Sequence, residues 1–149
     1  MEMKVRALSE KIGREIPVPR CATPGSAAMD LHACMDDPVT IPPGGRTVIH
    51  TGLAIQVPSP DHVALIFARS GLGIFHGIVP SNCVGVIDSD YRGEVMVGLY
   101  NSGDAPYTVQ PGDRIAQLML TPVVRAELKL VEELDDTPRG EGGFGSTGA

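Results

Sequence analysis

The stretch "VGVIDSDYRGEVMVGLYN", residues 84–101, joins two apolar runs through a polar turn. Short apolar runs bounded by turn residues indicate β-strands, and together they predict a β-hairpin. In the second run Val95, Val97 and Leu99 occupy one face of the strand, whereas Met96 occupies the other. Because both faces are apolar, we expect each to be covered, and a second copy of the chain is the simplest cover for the outer face.

Apolar runs separated by glycine and proline continue on both sides of this stretch. They predict strands over residues 46–50, 53–57 and 63–67, and two more around the Pro-Gly turn of "YTVQPGDRIAQLMLTPVV". "RAELKLVEEL" fits a strand or a helix, and the surrounding β pattern favours the strand. "RSGLGIFHG" predicts one helical turn. The sequence therefore predicts an all-β fold, a jelly-roll-like β-barrel or sandwich with at most one short helix and a flexible C-terminal arm.

Length and composition limit the possible functions. A chain of 149 residues is one domain by size, and 18 glycines with 13 prolines suit short strands joined by turns. A net charge of −6 argues against a nucleic-acid surface, and we expect no membrane span and no signal peptide. The cysteines at positions 21, 34 and 83 lack metal-site spacing, which predicts free thiols in a reducing cytoplasm.

The final residues, "RGEGGFGSTGA" at 139–149, have too much glycine to fold alone. They fit either a disordered tail or a lid that closes over a phosphorylated ligand containing a ring. Arg139 supplies a charge, Phe144 a stacking surface, and Ser146 and Thr147 hydroxyls. We expect residues 1–138 to form the β domain and residues 139–149 a flexible lid of the same domain.

Polar residues at predicted strand ends are the candidates for chemistry. Asp88 fits a solvated turn, or a partly buried carboxylate that orients and deprotonates a water. Arg69 and Ser70 precede a glycine and fit an anion-binding turn, or a helix capped by Ser70. Asp30 is either a satisfied buried acid or a charge held near a cation. Gln117 lies in an apolar strand, where an outward-facing polar residue is the simpler interpretation.

Five segments resemble, in order, the motifs of the trimeric deoxyuridine triphosphatase (dUTPase) family, most closely its bacterial type. They are "AAMDLHA", "ARSGLG", "GVIDSDYRGEVMVGLYN", "RIAQL" and "RGEGGFGSTG", and the similarity runs from about residue 16 to residue 147. The resemblance implies Mg²⁺-dependent hydrolysis of dUTP to dUMP and pyrophosphate in a homotrimer with sites shared between subunits. Such an activity keeps uracil out of DNA and supplies dUMP for dTMP synthesis.

The resemblance also implies roles for individual residues. Asp88 would hold the water that attacks the α-phosphorus, and Asp30 would act on the Mg²⁺ side through water. The substrate-binding residues carried over by position are Arg69, Ser70, Gly71, Asn82, Tyr91, Met96, Gln117, Arg139, Phe144, Gly145, Ser146 and Thr147.

Within that set, each part of the nucleotide has its own contacts. Tyr91 would pack on the deoxyribose and exclude a 2′-hydroxyl, and Asn82 would help the backbone read the uracil edge. Phe144 would stack on uracil as part of the lid, and the residues of "RSG" together with Gln117 would hold the phosphates.

Two positions depart from the family pattern, and two other functions stay open. Ala68 stands where a proline is common, and Met29 replaces the usual neighbour of the motif aspartate; neither removes a chemical group. The dCTP deaminases share this fold and are distinguished by ammonia release from dCTP. A non-catalytic nucleotide sensor or jelly-roll assembly protein would keep the strands and lose the acid at position 88.

Overall fold

In the computed structural model, which describes residues 1–143, the regular elements are β-strands and one short helix. The elements are β1 (Lys4–Ala7), β2 (Met29–His32), β3 (Val39–Ile41), β4 (Arg46–Gln56), β5 (His62–Phe67), α1 (Ser70–His76), β6 (Ile78–Pro80), β7 (Gly85–Ile87), β8 (Glu94–Asn101), β9 (Tyr107–Val109) and β10 (Arg114–Pro122). The predicted all-β class, with a single short helix in the described range, is confirmed.

The strands form two four-stranded sheets and a separate pair. One sheet has the order β1-β4-β8-β6, the other β2-β10-β5-β7, and β3 pairs with β9. A single apolar core contains residues of both large sheets, such as Ile49, Val97 and Leu99 from the first and Ile66 and Leu118 from the second. Over residues 1–143 the sheets do not close into a barrel, so the sandwich form of the prediction describes the fold.

Strand β8 has the two faces that its sequence predicts. Val95, Val97 and Leu99 are at most 2% exposed and point into the core, whereas Met96 on the outer face is 45% exposed. The outer face of the neighbouring strand adds Val48, which is 57% exposed. The outer face is therefore partly apolar and uncovered within one chain.

The predicted hairpin over residues 84–101 is wrong, although both strands exist. Strand β7 pairs with β5 in one sheet, whereas β8 pairs with β4 and β6 in the other. The two edges of β8 are occupied by strands distant in sequence, so its neighbour in the chain cannot pair with it. The connection, residues 88–93, is hereafter called the Asp88 loop, and it crosses between the sheets.

Residues 46–50 and 53–57, predicted as two strands, form the single strand β4. Its register against β8 shifts between His50 and Ala54, and Gly52 adopts a φ of 68° at this irregularity. A side chain on Gly52 would also lie 2.7 Å from Cys34 Sγ. The glycine that suggests a break between strands instead permits a bulge within one strand.

The strand predicted for "RAELKLVEEL", residues 125–134, is also wrong. After β10 ends at Pro122, the described chain contains no further strand. Leu128 is 97% and Leu130 98% exposed, so the alternating apolar side chains contact nothing in their own chain. In the described structure this segment pairs with no strand of its own chain.

Two further sequence expectations concern the helix and the cysteines. The predicted helical turn is helix α1, but Arg69 rather than Ser70 is its N-cap, with extended backbone and no side-chain capping bond. Cys21, Cys34 and Cys83 are free thiols. No helix in the described part of the chain has the length and apolarity needed to cross a membrane.

Candidate active site

Asp30, Arg69, Arg114 and Gln117 form a polar cluster at one end of the second sheet. Arg69 Nε donates a hydrogen bond to Asp30 Oδ1 at 2.8 Å, and Arg114 Nη1 donates to Asp30 Oδ2 at 3.3 Å. The side chains of Asp30 and Arg69 are only 29% and 24% exposed. Asp30 is therefore a charge held by cations, which is one of the two alternatives that its sequence context leaves open.

Strand register explains why the members of this cluster meet. Gln117 in β10 lies between Asp30 in β2 and Phe67 in β5. The Gln117 Nε2 atom donates a hydrogen bond to the carbonyl of Ala68 at 2.8 Å. Gln117 is thus not simply an outward-facing polar residue, because it fixes the connection between β5 and α1 that carries Arg69.

The start of α1 presents free backbone groups next to Arg69. The N–H groups of a first helical turn have no partner within the helix, and they bind anions readily. A Cβ placed on Gly71 would meet no atom within 4 Å. Nothing inside the chain therefore requires glycine there, and the open space suits a ligand that approaches the backbone closely.

His32 is a neighbour of the polar cluster that the sequence analysis does not identify. It is paired with Arg114 in the β2–β10 ladder, and its Nδ1 atom is buried with no hydrogen-bond partner among the described residues. Burial, together with the positive charges of the two arginines, lowers the pKa of His32 below its ordinary value, and the Asp30 carboxylate opposes the shift. Asp30 and His32 face a cleft of about 440 Å³ that residues 17–22 border.

Asp88 lies where β7 ends, as predicted, but its carboxylate is exposed rather than partly buried. Of the two alternatives left open by the sequence, a single chain shows the solvated one, because β7 is a three-residue strand at the edge of its sheet. Within residues 1–143 the Asp88 carboxylate takes part in no hydrogen bond and no salt bridge. It is free to contact a water or a ligand.

Tyr91 is held inside the Asp88 loop by three contacts. Its backbone N–H donates to the Asp88 carbonyl at 3.2 Å, and its hydroxyl donates to the Glu94 carbonyl at 3.0 Å. The guanidinium of Arg92 donates to the carbonyls of Ser89 and Tyr91, each at 2.8 Å. The loop is therefore ordered by its own bonds, while the Tyr91 side chain stays 40% exposed.

The end of the Asp88 loop is anchored by Glu94. The Glu94 carboxylate accepts a hydrogen bond from the Gly52 N–H at 2.9 Å and contacts His50 Nδ1 at 2.8 Å. Burial by itself would raise the pKa of Glu94, but the His50 and Gly52 hydrogen bonds, with the His50 charge, outweigh it and lower that pKa below the ordinary 4.5. The acid is thus held in its ionised form.

The structure does not bring Asp88 to the polar cluster. Asp88 follows Ile87, which pairs with Ala64 near the start of β5. Arg69 comes two residues after Phe67, where β5 ends. A strand rises about 3.3 Å per residue, so Asp88, beside the start of β5, and Arg69, beyond its end, lie roughly 15–20 Å apart.

The remaining predicted site residues are dispersed. Asn82 is exposed in the turn between β6 and β7, at the opposite end of β7 from Asp88. Met96 lies on the outer face of β8. Arg139 Nε donates to the Gly142 carbonyl at 2.7 Å within a local turn. The other predicted lid residues, Phe144, Gly145, Ser146 and Thr147, lie outside the described residues.

The described chain contains no group of three or more metal-ligating side chains close enough to form a metal cage. Asp30, the acid predicted to act near Mg²⁺, already accepts from two guanidinium groups. This arrangement suits a Mg²⁺ ion that enters with a polyphosphate and keeps most of its water shell.

Sequence reasoning missed three residues that contribute to the candidate site, namely Arg114, Gly93 and Glu94. Arg114 stands at the start of a predicted strand, but its contact with Asp30 depends on a pairing between residues 84 positions apart. Gly93 and Glu94 follow the aspartate-containing turn directly in the sequence, but their contacts with Tyr91 form only in the folded loop. No local pattern identifies such partners.

Comparison with known proteins gives consistent matches. The dUTPase family model matches residues 14–148. The deoxyuridine 5'-triphosphate nucleotidohydrolase of Idiomarina loihiensis is 52% identical over 147 residues, covering 99% of this chain and 97% of that protein. The protein of the same name from Escherichia coli O9:H4 (strain HS) is 51% identical with the same coverage.

Solved structures give the same picture at lower identity. A variant of the Staphylococcus bacteriophage 80alpha dUTPase with dUpNHpp is 27% identical with a TM-score of 0.86, and 99% of each chain is covered. A variant dUTPase from phage phi11 of S. aureus, whose structure reveals the coordination of a structural Mg(II) ion, is 25% identical with a TM-score of 0.78. That match covers 91% of this chain and 100% of the phage chain.

Proposed function

Because this chain belongs to the dUTPase family and is a dUTP diphosphatase, we propose that a water activated by Asp88 attacks the α-phosphorus of dUTP. The products are dUMP and pyrophosphate, and the reaction depends on Mg²⁺. The observation that carries the proposal is the Asp88 carboxylate, exposed and free of any intrachain partner in the described structure. A carboxylate in that state can accept a water's proton and aim its oxygen.

The polar cluster and the start of α1 bind the phosphates in this proposal. The phosphates meet the guanidinium of Arg69, the hydroxyl of Ser70 and the open backbone at Gly71. Gln117 holds the turn before α1 in place. Asp30 orients Arg69 through the 2.8 Å hydrogen bond to Nε. A chain with a net charge of −6 needs such local positive groups to hold a polyanion. Bound Mg²⁺ neutralises charge that develops on the phosphate oxygens.

The Asp88 loop and the turn before β7 select the nucleoside. The Tyr91 ring, 40% exposed, packs on the deoxyribose and leaves no space for a 2′-hydroxyl. The backbone near Asn82 reads the acceptor, donor and acceptor groups along the uracil edge, which leaves cytosine with unpaired groups. Met96 contributes an apolar contact from the outer face of β8.

Residues 139–149 act as a lid that closes over the bound nucleotide. Phe144 stacks on uracil, while Arg139, Gly145, Ser146 and Thr147 contact the phosphates. Their glycine content supports this role, because glycine lets the backbone pass close to a triphosphate. In the described part of the lid the hydrogen bonds are local, from Arg139 Nε to the Gly142 carbonyl and from the Gly140 N–H to the Thr137 carbonyl.

Three observations support a homotrimer with shared sites. Asp88 lies beside the start of β5, whereas Arg69 follows its end, so one chain holds the two side chains far apart. The outer face of the first sheet exposes Val48 and Met96, and the segment after β10 exposes Leu128 and Leu130. In the proposed trimer one subunit supplies the phosphate residues, a second the Asp88 loop and a third the lid.

The free cysteines support placing the enzyme in the cytoplasm, where it keeps uracil out of DNA and supplies dUMP for dTMP synthesis.

Isotope-labelled water tests the chemistry. Hydrolysis in H₂¹⁸O with Mg²⁺ should place the label in dUMP, because the attacking oxygen stays on the phosphorus that it attacks. Label in pyrophosphate would mean attack at the β-phosphorus and would contradict the proposal. Pyrophosphate release should be measured in parallel for each dNTP and for UTP, with and without Mg²⁺, and ammonia release from dCTP should be absent.

Subunit mixing tests the shared site. The Asp88→Asn chain and a chain cut after Pro138, each inactive alone, are unfolded together and refolded at equal concentration. If different chains supply Asp88 and the lid, each is intact with probability one half, so about a quarter of the sites recover. If one chain supplies both, every site lacks one of them. An inactive preparation that is verified to contain mixed trimers would therefore rule out the shared site.

A further inference from the structure

Gly93 lies against the hydroxyl end of the Tyr91 ring. A Cβ atom built on Gly93 would be 2.6 Å from Tyr91 Cζ and 3.1 Å from Cε2, with the hydroxyl oxygen closer still. Such separations are shorter than real Cβ contacts allow. The backbone of Gly93 is not in the left-handed region, so its conformation alone does not require glycine. The ring itself occupies the space that a side chain at this position would need.

The ring is fixed from its far end as well. The Tyr91 hydroxyl donates to the Glu94 carbonyl at 3.0 Å, and Glu94 is itself held through its carboxylate by the Gly52 N–H and His50. The tyrosine therefore spans the backbone of position 93 and ends on a residue anchored to β4. Only a residue without a side chain permits this short bridge.

The backbone of the loop is fixed independently of the ring. Arg92 bonds the carbonyls of Ser89 and Tyr91, and the Tyr91 N–H bonds the carbonyl of Asp88. With the Cα of Tyr91 held in this way, the main freedom left to the tyrosine is rotation of its side chain. The clash of a methyl group at position 93 with the ring would be relieved most easily by that rotation. The rotation would move the ring away from position 93 and break the hydroxyl hydrogen bond.

We propose that Gly93 is a positioning residue that sets sugar selectivity, because it allows the Tyr91 ring to cross position 93 and reach Glu94, where it blocks a 2′-hydroxyl. The inference rests on the proposed role of Tyr91 against the deoxyribose. It assigns the selectivity to the glycine as well as to the tyrosine. The Tyr91 N–H bonds the Asp88 carbonyl, and rotation of the Tyr91 side chain leaves this backbone bond intact.

The test compares kcat/KM for dUTP and for UTP in the full-length enzyme. Gly93→Ala should lower the dUTP-to-UTP ratio by at least about tenfold, the scale at which a change of one carbon in a pocket alters discrimination. Tyr91→Ala should lower the ratio at least as much. Gly25→Ala is the matched control, because a Cβ there meets no atom within 4 Å and its backbone is not left-handed. Its ratio should equal that of the wild type.

A thermal measurement covers the case in which Gly93→Ala folds poorly. The decrease in Tm caused by Gly93→Ala should be smaller when Tyr91→Ala is also present, because the three nearest atoms to the added methyl group all belong to that tyrosine. Equal decreases in Tm in both backgrounds would mean that the ring and the methyl group do not collide, and would overturn the inference.

The outcomes separate this inference from the role of Tyr91. If Tyr91→Ala lowers the ratio and Gly93→Ala reduces both kcat/KM values equally, the glycine is only structural and the inference is wrong. If Tyr91→Ala leaves the ratio unchanged, the sugar-packing role of the tyrosine is wrong and the inference fails with it. A lowered ratio in both variants, with Gly25→Ala unchanged, supports both.

Discussion

The polar cluster and residues 123–143, here called the C-terminal segment, differ in how their side chains are used within one chain. In the cluster, Asp30 bonds two arginines, and Gln117 bonds the backbone that carries one of them. In the segment, Leu128 and Leu130 are almost fully exposed, and Arg139 bonds only a nearby carbonyl. The cluster is built by a single chain, whereas the segment has apolar groups that a single chain leaves uncovered.

This difference predicts which measured property a substitution in each region should change. A group bonded within the chain contributes to folding, so its removal lowers stability and disturbs binding. A group left exposed contributes nothing to the folded chain, so its removal changes only activity or assembly. Asp88 belongs to the second kind despite its place in the β domain. Substitutions ordered by their expected effect on turnover test this division.

The largest effect is expected for Asp88→Asn. The variant should lose at least about a thousandfold in kcat, because general base catalysis typically contributes factors of this order. Its Tm and its affinity for dUTP should stay close to those of the wild type, because the exposed carboxylate bonds nothing in the described chain. Single-turnover kinetics, nucleotide titration and thermal unfolding measure the three quantities.

Asp90→Asn is the matched control, since Asp90 is exposed in the same loop and has no assigned role. It should keep kcat within about threefold of the wild type, as surface substitutions generally do. If Asp88→Asn retained more than about a tenth of wild-type kcat, Asp88 would not be the base.

Removal of the residues after Pro138 comes next. Hydrolysis should collapse while Tm and the oligomeric state stay unchanged, because residues 139–143 make only local contacts in the described structure. The hydrolysis rate of Phe144→Ala should lie between those of the wild type and the truncated chain, with stacking worth roughly 1–3 kcal/mol. A fall in Tm of many degrees on truncation would place the tail in the folded structure and contradict its role as a lid.

Asp30→Asn should affect both stability and binding. The change removes the negative charge and leaves one accepting oxygen for two arginines, and a hydrogen bond to a charged group is worth about 1.5–3 kcal/mol. In a chain of this size that corresponds to a lower Tm by roughly 3–12 °C. The KM for dUTP should rise because Arg69 is no longer oriented. Asp37→Asn, an exposed acid without an ion pair in the described structure, should change neither quantity.

Glu94→Gln should have the smallest effect, and that effect should depend on pH. The pKa of Glu94 is lowered in the folded protein, so its ionised form stabilises the fold above the ordinary value of 4.5. This stability is lost as pH falls through the lowered pKa. The difference in Tm between wild type and variant should therefore be largest near neutral pH, equivalent to about 1 kcal/mol, and should shrink in acid. A difference that grows in acid would contradict the assigned direction.

Local chemistry was sufficient to predict much of the fold and part of the site. The inward face of β8, the helical turn after Arg69 and the position of Asp88 at a strand end follow from side-chain alternation and turn residues. The pairing of β7 with β5 could not be predicted, because it depends on which edges remain free after distant strands have paired. The sequence could not decide between a solvated and a partly buried Asp88, because that depends on what packs over the end of β7.

The sequence by itself determined the all-β class, the motif residues and the family, because apolar periodicity and the order of chemical groups are local properties. Only the tertiary structure decided that Asp30 bonds Arg114, that the hydroxyl end of the Tyr91 ring lies against Gly93, and that Asp88 and Arg69 lie near opposite ends of β5. These contacts join residues through register and loop geometry. Such geometry is set by the packing of the whole chain, so no short stretch of sequence specifies it.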